Sequence, residues 1–452
     1  MKKLVVISIL VALLSSCGSV NTGELTGVDN RPAGFTPEPF GMVLVPEGSF
    51  NLGPSDEDVT YSMNAQAKTV SVQSFWMDET EITNNEYRQF VYWVRDSLAY
   101  RLLGEQLEGY LITEDIYGEE IDPPFINWEA EIDWGGEEEK EILSELYLPE
   151  HERFYRRKNI DTRKLVYEYF WIDYKQASQK FHFDNQQRRR WNPETQQYDG
   201  EVFNYDYDSH ERVPVKDRSS FIMRDRVAVY PDTLCWISDF TYSYNEPMSN
   251  MYFWHPSYDN YPVVGVSWKQ ASAFSIWRTA LMNSAVGAEG VFVQDYRLPK
   301  ETEWEYAARG GLDLSMYPWG GYYTRNSNGC FIANFKPMRG DYVDDGGLLT
   351  LEVATYEPNE FGLYDMAGNV SEWTGNAFDE SAYTFTHDLN PDYTYHALPD
   401  DPPALKRKVV RGGSWKDISH FLQVSTRTYE YQDTAKSYIG FRNVRTALGL
   451  DQ

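Results

Sequence analysis

The stretch Phe361-Gly362-Leu363-Tyr364-Asp365-Met366-Ala367-Gly368-Asn369-Val370-Ser371-Glu372-Trp373 lies in a region, from about residue 312 onward, that is rich in Gly, Asp and Asn turns and has few long periodic segments. Gly362 and Gly368 suit positive φ or close backbone packing, as do Gly412 and Gly413 further on. Trp373 offers a large buried area and an indole N–H that needs a partner, and so do Trp268, Trp277, Trp304 and Trp415. Long loops do not satisfy their own backbone groups, so a chain of this kind needs side-chain pins. Arg309, Arg411 and Arg442 suit that role through bidentate contacts to carboxylates or carbonyls. Local sequence predicts an α+β protein with much irregular structure.

Working outward, Gly41–Gly53 reads as a strand, a Pro46-Glu47-Gly48 turn and a second short strand, and Val70–Phe75 as another strand. Thr83-Asn84-Asn85-Glu86 is a capping box, followed by Tyr87, Phe90, Val91 and Val94 on one helical face. Ser267-Trp268-Lys269-Gln270 repeats the signal ahead of Ala273, Phe274, Trp277 and Leu281. A third helix is expected after Leu298-Pro299, running through Trp304 and Tyr306 to Arg309 and stopped by Gly310-Gly311. From about 95 to 250 the character changes: an acidic run (Glu137–Glu139), a basic run (Arg188–Arg190) and Tyr-rich segments appear, with weak helical periodicity. This predicts a large insertion, because the motifs on either side belong to one pattern.

Of the 452 residues, 69 are acidic and 41 basic, a formal charge of −28 that argues against nucleic acid as a partner. An aromatic content of 16% argues against global disorder, and three cysteines are too few for a disulfide framework or a Cys-rich zinc module. Lys2-Lys3 followed by the apolar run Leu4–Leu14 reads as a secretory signal over 1–16. Leu14-Ser15-Ser16-Cys17 matches a lipobox, so Cys17 is the expected lipidation site, with 17–40 as a flexible tether and an ordered domain over 41–447. With neither Asp nor an acidic run directly after Cys17, the expected location is the outer membrane, lipid-anchored, on the periplasmic side.

Six segments in order carry a family resemblance: Gly41–Gly53; Val70–Val91 with Glu81-Ile82-Thr83-Asn84; Tyr261–Trp268; Arg297-Leu298-Pro299 with Glu303–Gly310; Phe361–Trp373; and Arg411-Gly412-Gly413-Ser414-Trp415 with Gly440-Phe441-Arg442. Together they resemble the formylglycine-generating enzyme (sulfatase-modifying factor) family. The resemblance implies an α+β, C-type-lectin-like fold with much irregular structure, here with a large insertion. In that family a cysteine pair after the Arg-Gly-Gly-Ser element binds copper and oxidises a substrate cysteine, a task for soft thiolates. In this sequence Asp417 and Leu422 stand near those positions, so neither copper nor the oxidase activity is expected. Cys235 and Cys330 match no motif and are either free thiols or a disulfide. Seven histidines show no i, i+4 pair of the kind an iron site needs.

The resemblance also implies structural calcium on oxygen ligands, which suit a hard cation. By motif, Asp365 and Glu372 would supply side-chain oxygens, with the backbone carbonyls of Gly368 and Val370. A second site would fall on Asn334 and Asp345. A lipobox, a core without the thiols and a long insertion after the first helix resemble the gliding-motility lipoproteins of Bacteroidetes, of the GldK/PorK type. That implies a non-enzymatic scaffold of the type IX protein secretion system, self-assembling into a periplasmic ring with a GldN/PorN-type partner. Two alternatives stand beside it: a sulfatase-modifying-type enzyme with different chemistry, and a glycan-binding lipoprotein.

Overall fold

The computed structural model describes residues 37–54, 67–115, 117–178, 190–192, 197–199, 203–206, 211–214, 218–240, 242–243, 247–287, 293–337 and 341–447. The expected signal, Cys17 and the tether as far as residue 36 lie outside the described residues, as do Arg188 and Arg189 of the basic run.

Thr83 opens α1 (Asn84–Gly104). Its hydroxyl accepts from the Glu86 amide at 3.3 Å, and the Glu86 carboxylate accepts from the Thr83 amide at 2.7 Å. The same reciprocal box between Ser267 and Gln270 opens α2 (Trp268–Val286). The third long helix, α3 (Glu301–Arg309), begins where Glu303 accepts from the Lys300 amide at 2.9 Å, and it ends on Gly310 at φ 58°. Helical periodicity is weak in the sequence beyond about 95, yet the helix continues. Helix α1 runs on to Gly104 because Ala99 and Leu103 find partners in Leu143 and Leu146, forty residues ahead and invisible to local periodicity.

Strand β1 (Met42–Val45) and β2 (Gly48–Leu52) follow the expected strand–turn–strand pattern. The strand expected over Val70–Phe75 is two strands, β3 (Lys68–Val72) and β4 (Phe75–Asp78), broken at Gln73-Ser74. The break lets β3 pair antiparallel with β2 while β4 leaves for another sheet. That sheet, in the order β1, β4, β18 (Val444–Thr446), β13 (Tyr296–Arg297), is antiparallel throughout. A second sheet has the order β16 (Thr428–Tyr431), β15 (Arg407–Arg411), β14 (Ser371–Ala377), β17 (Ile439–Gly440), with β17 parallel to β14. Each sheet therefore joins the chain's end to earlier segments.

Two apolar clusters are the largest among the described residues. In the larger, α1 packs on α2, with Tyr87 stacked on Phe274 at 5.6 Å between centroids and Phe90 against Trp277 at 5.1 Å. The smaller sets Trp304 of α3 among Val45, Phe75 and Met77 of β1 and β4. Between residues 105 and 250 lie the antiparallel pair of β5 (Leu111–Glu114) and β6 (Glu120–Ile126), two short hairpins (β8, Arg190–Asn192, with β9, Gln197–Asp199, and β10, Phe203–Asp206, with β11, Glu211–Pro214), and the antiparallel pair of β7 (Val166–Ile172) and β12 (Ile222–Ala228). The β7–β12 pair is not appended to the outside. Leu165, Tyr169 and Val229 belong to the larger core, and the Tyr87 hydroxyl donates to the Val229 carbonyl at 2.9 Å.

The expected pins are in place, and they converge on α3. Glu301 and Glu305, one turn apart, are both buried. Glu305 accepts from Arg309 at 2.8 Å and from Arg411 at 2.6 Å, and Glu301 pairs with Arg411 at 3.1 Å and Arg427 at 2.6 Å. The remaining guanidinium donors hold loops: Arg309 donates to the Gly53 and Ser315 carbonyls, Arg411 to those of Val424 and Thr426. Four of the five tryptophans donate to a partner: Trp268 to Thr374, Trp304 to Glu372, Trp373 to Val266 and Trp415 to Ser437. Trp277 departs from expectation, its buried N–H having no partner among the described residues. Removing one member of a buried ion-pair network leaves uncompensated charge, at a cost of roughly 3–5 kcal/mol. Arg411→Met is therefore expected to lower stability by about that amount in urea denaturation, and a change within about 0.5 kcal/mol would contradict the pinning role.

Candidate functional site

Four charged groups from three distant parts of the chain meet at the Phe361–Trp373 stretch. Glu372 enters from β14, Arg442 follows β17, Glu81 precedes α1 and Asp365 sits in the loop at φ 54°. Arg442 holds Glu372 through Nε at 2.8 and 2.9 Å and through Nη2 at 2.6 Å, while the Trp304 indole donates to Glu372 Oε2 at 2.8 Å. The other Arg442 donors reach the carbonyls of Asp78 and Tyr364. Glu81 accepts from the Asn369 side chain at 2.9 Å and the Val370 amide at 3.1 Å, and Asp365 accepts from the Ala354 amide at 2.7 Å.

Three buried carboxylates thus face one guanidinium. Burial, followed by the charges of Asp365 and Glu372, raises the Glu81 carboxyl well above its ordinary value. Burial, reinforced by the Glu372 charge against the Ala354 amide and Arg442, raises Asp365 to about 6. The surplus negative charge is of the sort a hard cation offsets.

Asn334 and Asp345 lie next door. The Asp345 carboxylate accepts from the Phe335 amide at 2.7 Å and the Gly347 amide at 3.2 Å, and burial raises its pKa. The Asn334 amide nitrogen donates to the Leu349 carbonyl at 2.9 Å, but its buried Oδ1 accepts from no donor among the described residues. Gly347 keeps that oxygen open, since a Cβ there would lie 3.1 Å from it. Gly368 is required in its turn: at φ 87° a Cβ would come within 2.4 Å of the Asn334 carbonyl oxygen.

The two expected ligand sets are therefore brought together, and the residue joining them is one that sequence reasoning missed. Asn369, at φ 58°, donates to Glu81 and accepts at Oδ1 from Asn334 and the Leu351 amide. Its signal was a Gly-Asn pair in a turn, since Asn tolerates the left-handed region. Glu81 was missed because one carboxylate ahead of a helix cap reads as solvent-facing. Among the described residues no group of three or more His, Cys, Asp or Glu side chains is arranged as a metal site, so a cation here would have to draw on amide and carbonyl oxygens. The unpartnered Asn334 oxygen and the carboxylate surplus fit calcium on those terms.

At the positions where the family's thiols are expected, Asp417 accepts from the Ser414 hydroxyl at 2.6 Å, and burial raises its carboxyl. Leu422 is wholly buried against Tyr317, Ala333, Phe335 and Ala367. Cys235 is a buried free thiol, pushed up to about 12 chiefly by burial, and Cys330 is an exposed free thiol.

Two sheets closed by the chain's end, arginine pins on α3 and a glycine-dependent loop bearing buried carboxylates define a class of protein with little regular structure and one elaborated loop site. Residues 31–447 match the Sulfatase-modifying factor enzyme 1-like domain, and the chain belongs to that family. It is 34% identical over 188 residues to the inactive C-alpha-formylglycine-generating enzyme 2 of Bos taurus, covering 40% of this chain and 49% of that one. It is 34% identical over 187 residues to the formylglycine-generating enzyme of Thermomonospora curvata, covering 40% and 55%. A match to the Bos taurus formylglycine-generating enzyme is longer, 23% identical over 427 residues, covering 93% and 78%. The chain thus spans about half the length of the first of these relatives. Among solved structures, PvdO from Pseudomonas aeruginosa aligns over 90% of this chain and 94% of its own, with 16% identity and a TM-score of 0.41. CarF aligns over 90% and 99%, with 18% identity and a TM-score of 0.39.

The raised Asp365 pKa has a signed consequence. Between its ordinary 3.8 and about 6 the folded state holds a proton that the unfolded state has released, so this contribution is complete below 3.8 and is lost as pH rises through about 6. In chelator, stability is expected to fall from pH 4 to pH 6.5 more steeply for the native sequence than for Asp365→Asn, which keeps an acceptor for Ala354. Equal slopes in urea titrations would contradict the assignment.

Proposed function

We propose that this protein is a non-enzymatic member of its family, a GldK/PorK-type lipoprotein scaffold of the type IX secretion and gliding-motility machinery. On this reading the lipid on Cys17 anchors it to the periplasmic face of the outer membrane, and it assembles into a ring with a GldN/PorN-type partner. Its fold is of the C-type-lectin-like kind, one domain over 41–447 elaborated by an insertion at about 95–250.

The observation that carries the non-enzymatic part is the fate of the two thiol positions. A copper oxidase needs two adjacent soft ligands; here one position is a carboxylate tied to Ser414 and the other is a packed leucine. Support for a partner surface comes from the β5–β6 pair, where Ile112 and Phe125 face each other in register at 44% and 63% exposure. No described helix is long and apolar enough to cross a membrane.

Calcium belongs to the same reading as a structural ion. Asp365 and Glu372 with the carbonyls of Gly368 and Val370, and Asn334 with Asp345, would hold it, and its charge would offset the surplus among Glu81, Asp365 and Glu372. Metal analysis and a formylglycine assay on the purified full chain test both parts. Calcium without copper, and no conversion of a cysteine-containing sulfatase peptide, are expected. Stoichiometric copper or measurable formylglycine would overturn the reading, and calcium retained unchanged in Asn334→Ala and Asp365→Asn would overturn the ligand assignment.

A further inference from the structure

A cavity of about 370 Å³ is lined by residues of β7, α2, the segment 296–300 and the segment 392–397. Tyr169 and Trp171, two residues apart on β7, share the strand face that forms one wall. Trp268 and Ile276 of α2, Leu298 and His396 also line the cavity. The rings are ordered with respect to one another: Tyr169 stacks on Trp171 at 5.5 Å, His396 lies 5.8 Å from Trp171 at 31°, and 6.3 Å from Trp268 at 60°. Trp268 is fixed from behind. Its N–H donates to the Thr374 carbonyl at 2.8 Å, and the buried Lys408 ammonium sits 3.8 Å from its ring centroid.

The charged side chains around this cavity already have partners. Arg297 is held bidentately by Glu303 at 2.7 Å, Lys300 pairs with Asp392 at 3.3 Å, and Lys269 with Asp433 at 3.4 Å and Asp225 at 3.6 Å. What the cavity offers a guest is therefore ring faces and aliphatic carbon, with no charge left over for an ion. Ser272, Ser275 and Thr394 add hydroxyls to the lining, but rings and aliphatic carbon dominate it, and a sugar would have to strip water from several hydroxyls to enter. A one- or two-ring aromatic molecule matches both the lining and the volume, which falls in the range of small-molecule sites.

We infer that the cavity between the β7–β12 pair and α2 is a binding site for a small uncharged aromatic ligand. The site shares no residue with the calcium loop or the thiol positions and stands independently of the scaffold reading.

Saturation-transfer NMR titrations of the full chain with indole, p-cresol and methyl β-glucopyranoside test it. Saturable binding of indole and p-cresol, and none of the glucoside, is expected. His396→Ala should weaken indole about three- to tenfold by removing one stacking partner. Ile276→Trp, which fills the space, should abolish binding. Should Ile276→Trp fail to fold, His396→Ala alone decides, because His396 is exposed on a loop. Absence of saturable aromatic binding, binding of the glucoside instead, or an indole affinity unaltered by these variants would overturn the proposal.

Discussion

Glu301 and Glu305 lie one helical turn apart on α3 and are both removed from water, which is costly for two carboxylates unless cations meet them. Arg309 of the same helix meets them, as do Arg411 and Arg427 from the segment that closes the second sheet. Because a guanidinium has five donors and a carboxylate uses only two, the donors left over bind carbonyls of loops that have no ladder of their own. A protein whose described residues form two four-stranded sheets and three long helices can in this way hold long irregular segments in one arrangement.

Arg442 and Glu372 repeat the device in the other half of the core, with a difference that matters for function. At α3 the charges roughly balance: burial raises the Glu301 carboxyl, but its arginines outweigh that and leave it below the ordinary value. Around Arg442 three carboxylates face one cation, and Glu81 and Asp365 move upward instead. The first arrangement fastens the fold without further help. The second has an unmet demand for positive charge, and Asn334 beside it has an unmet oxygen. Both border the Phe361–Trp373 loop, Asn334 through its contacts with Gly368 and Asn369.

Much of this was legible in the residues. The capping boxes at Thr83 and Ser267, the Gly310 stop and the roles of Arg309, Arg411 and Arg442 follow from short-range chemistry and were found where expected. What escaped was whatever depends on distant partners. The last turns of α1 exist because Leu143 and Leu146 cover them, and β3 and β4 separate because their pairing strands lie in different sheets. Glu81 and Asn369 acquire their roles only when residues nearly 300 positions apart are brought into contact. The aromatic cavity is likewise a product of topology, since Tyr169 and Trp171 read as ordinary strand residues until α2 is placed opposite them.

On the proposed reading the family core serves as a scaffold, with packing at the two thiol positions and its elaborated surface meeting partners. Solubilising the full-length protein from outer membranes in mild detergent, and imaging what co-purifies with it, tests that most directly. Closed rings containing this chain and a GldN/PorN-type protein, lost on Phe125→Glu without loss of the folded protein, are predicted. A single, partner-free copy of the chain under the same conditions would contradict the account.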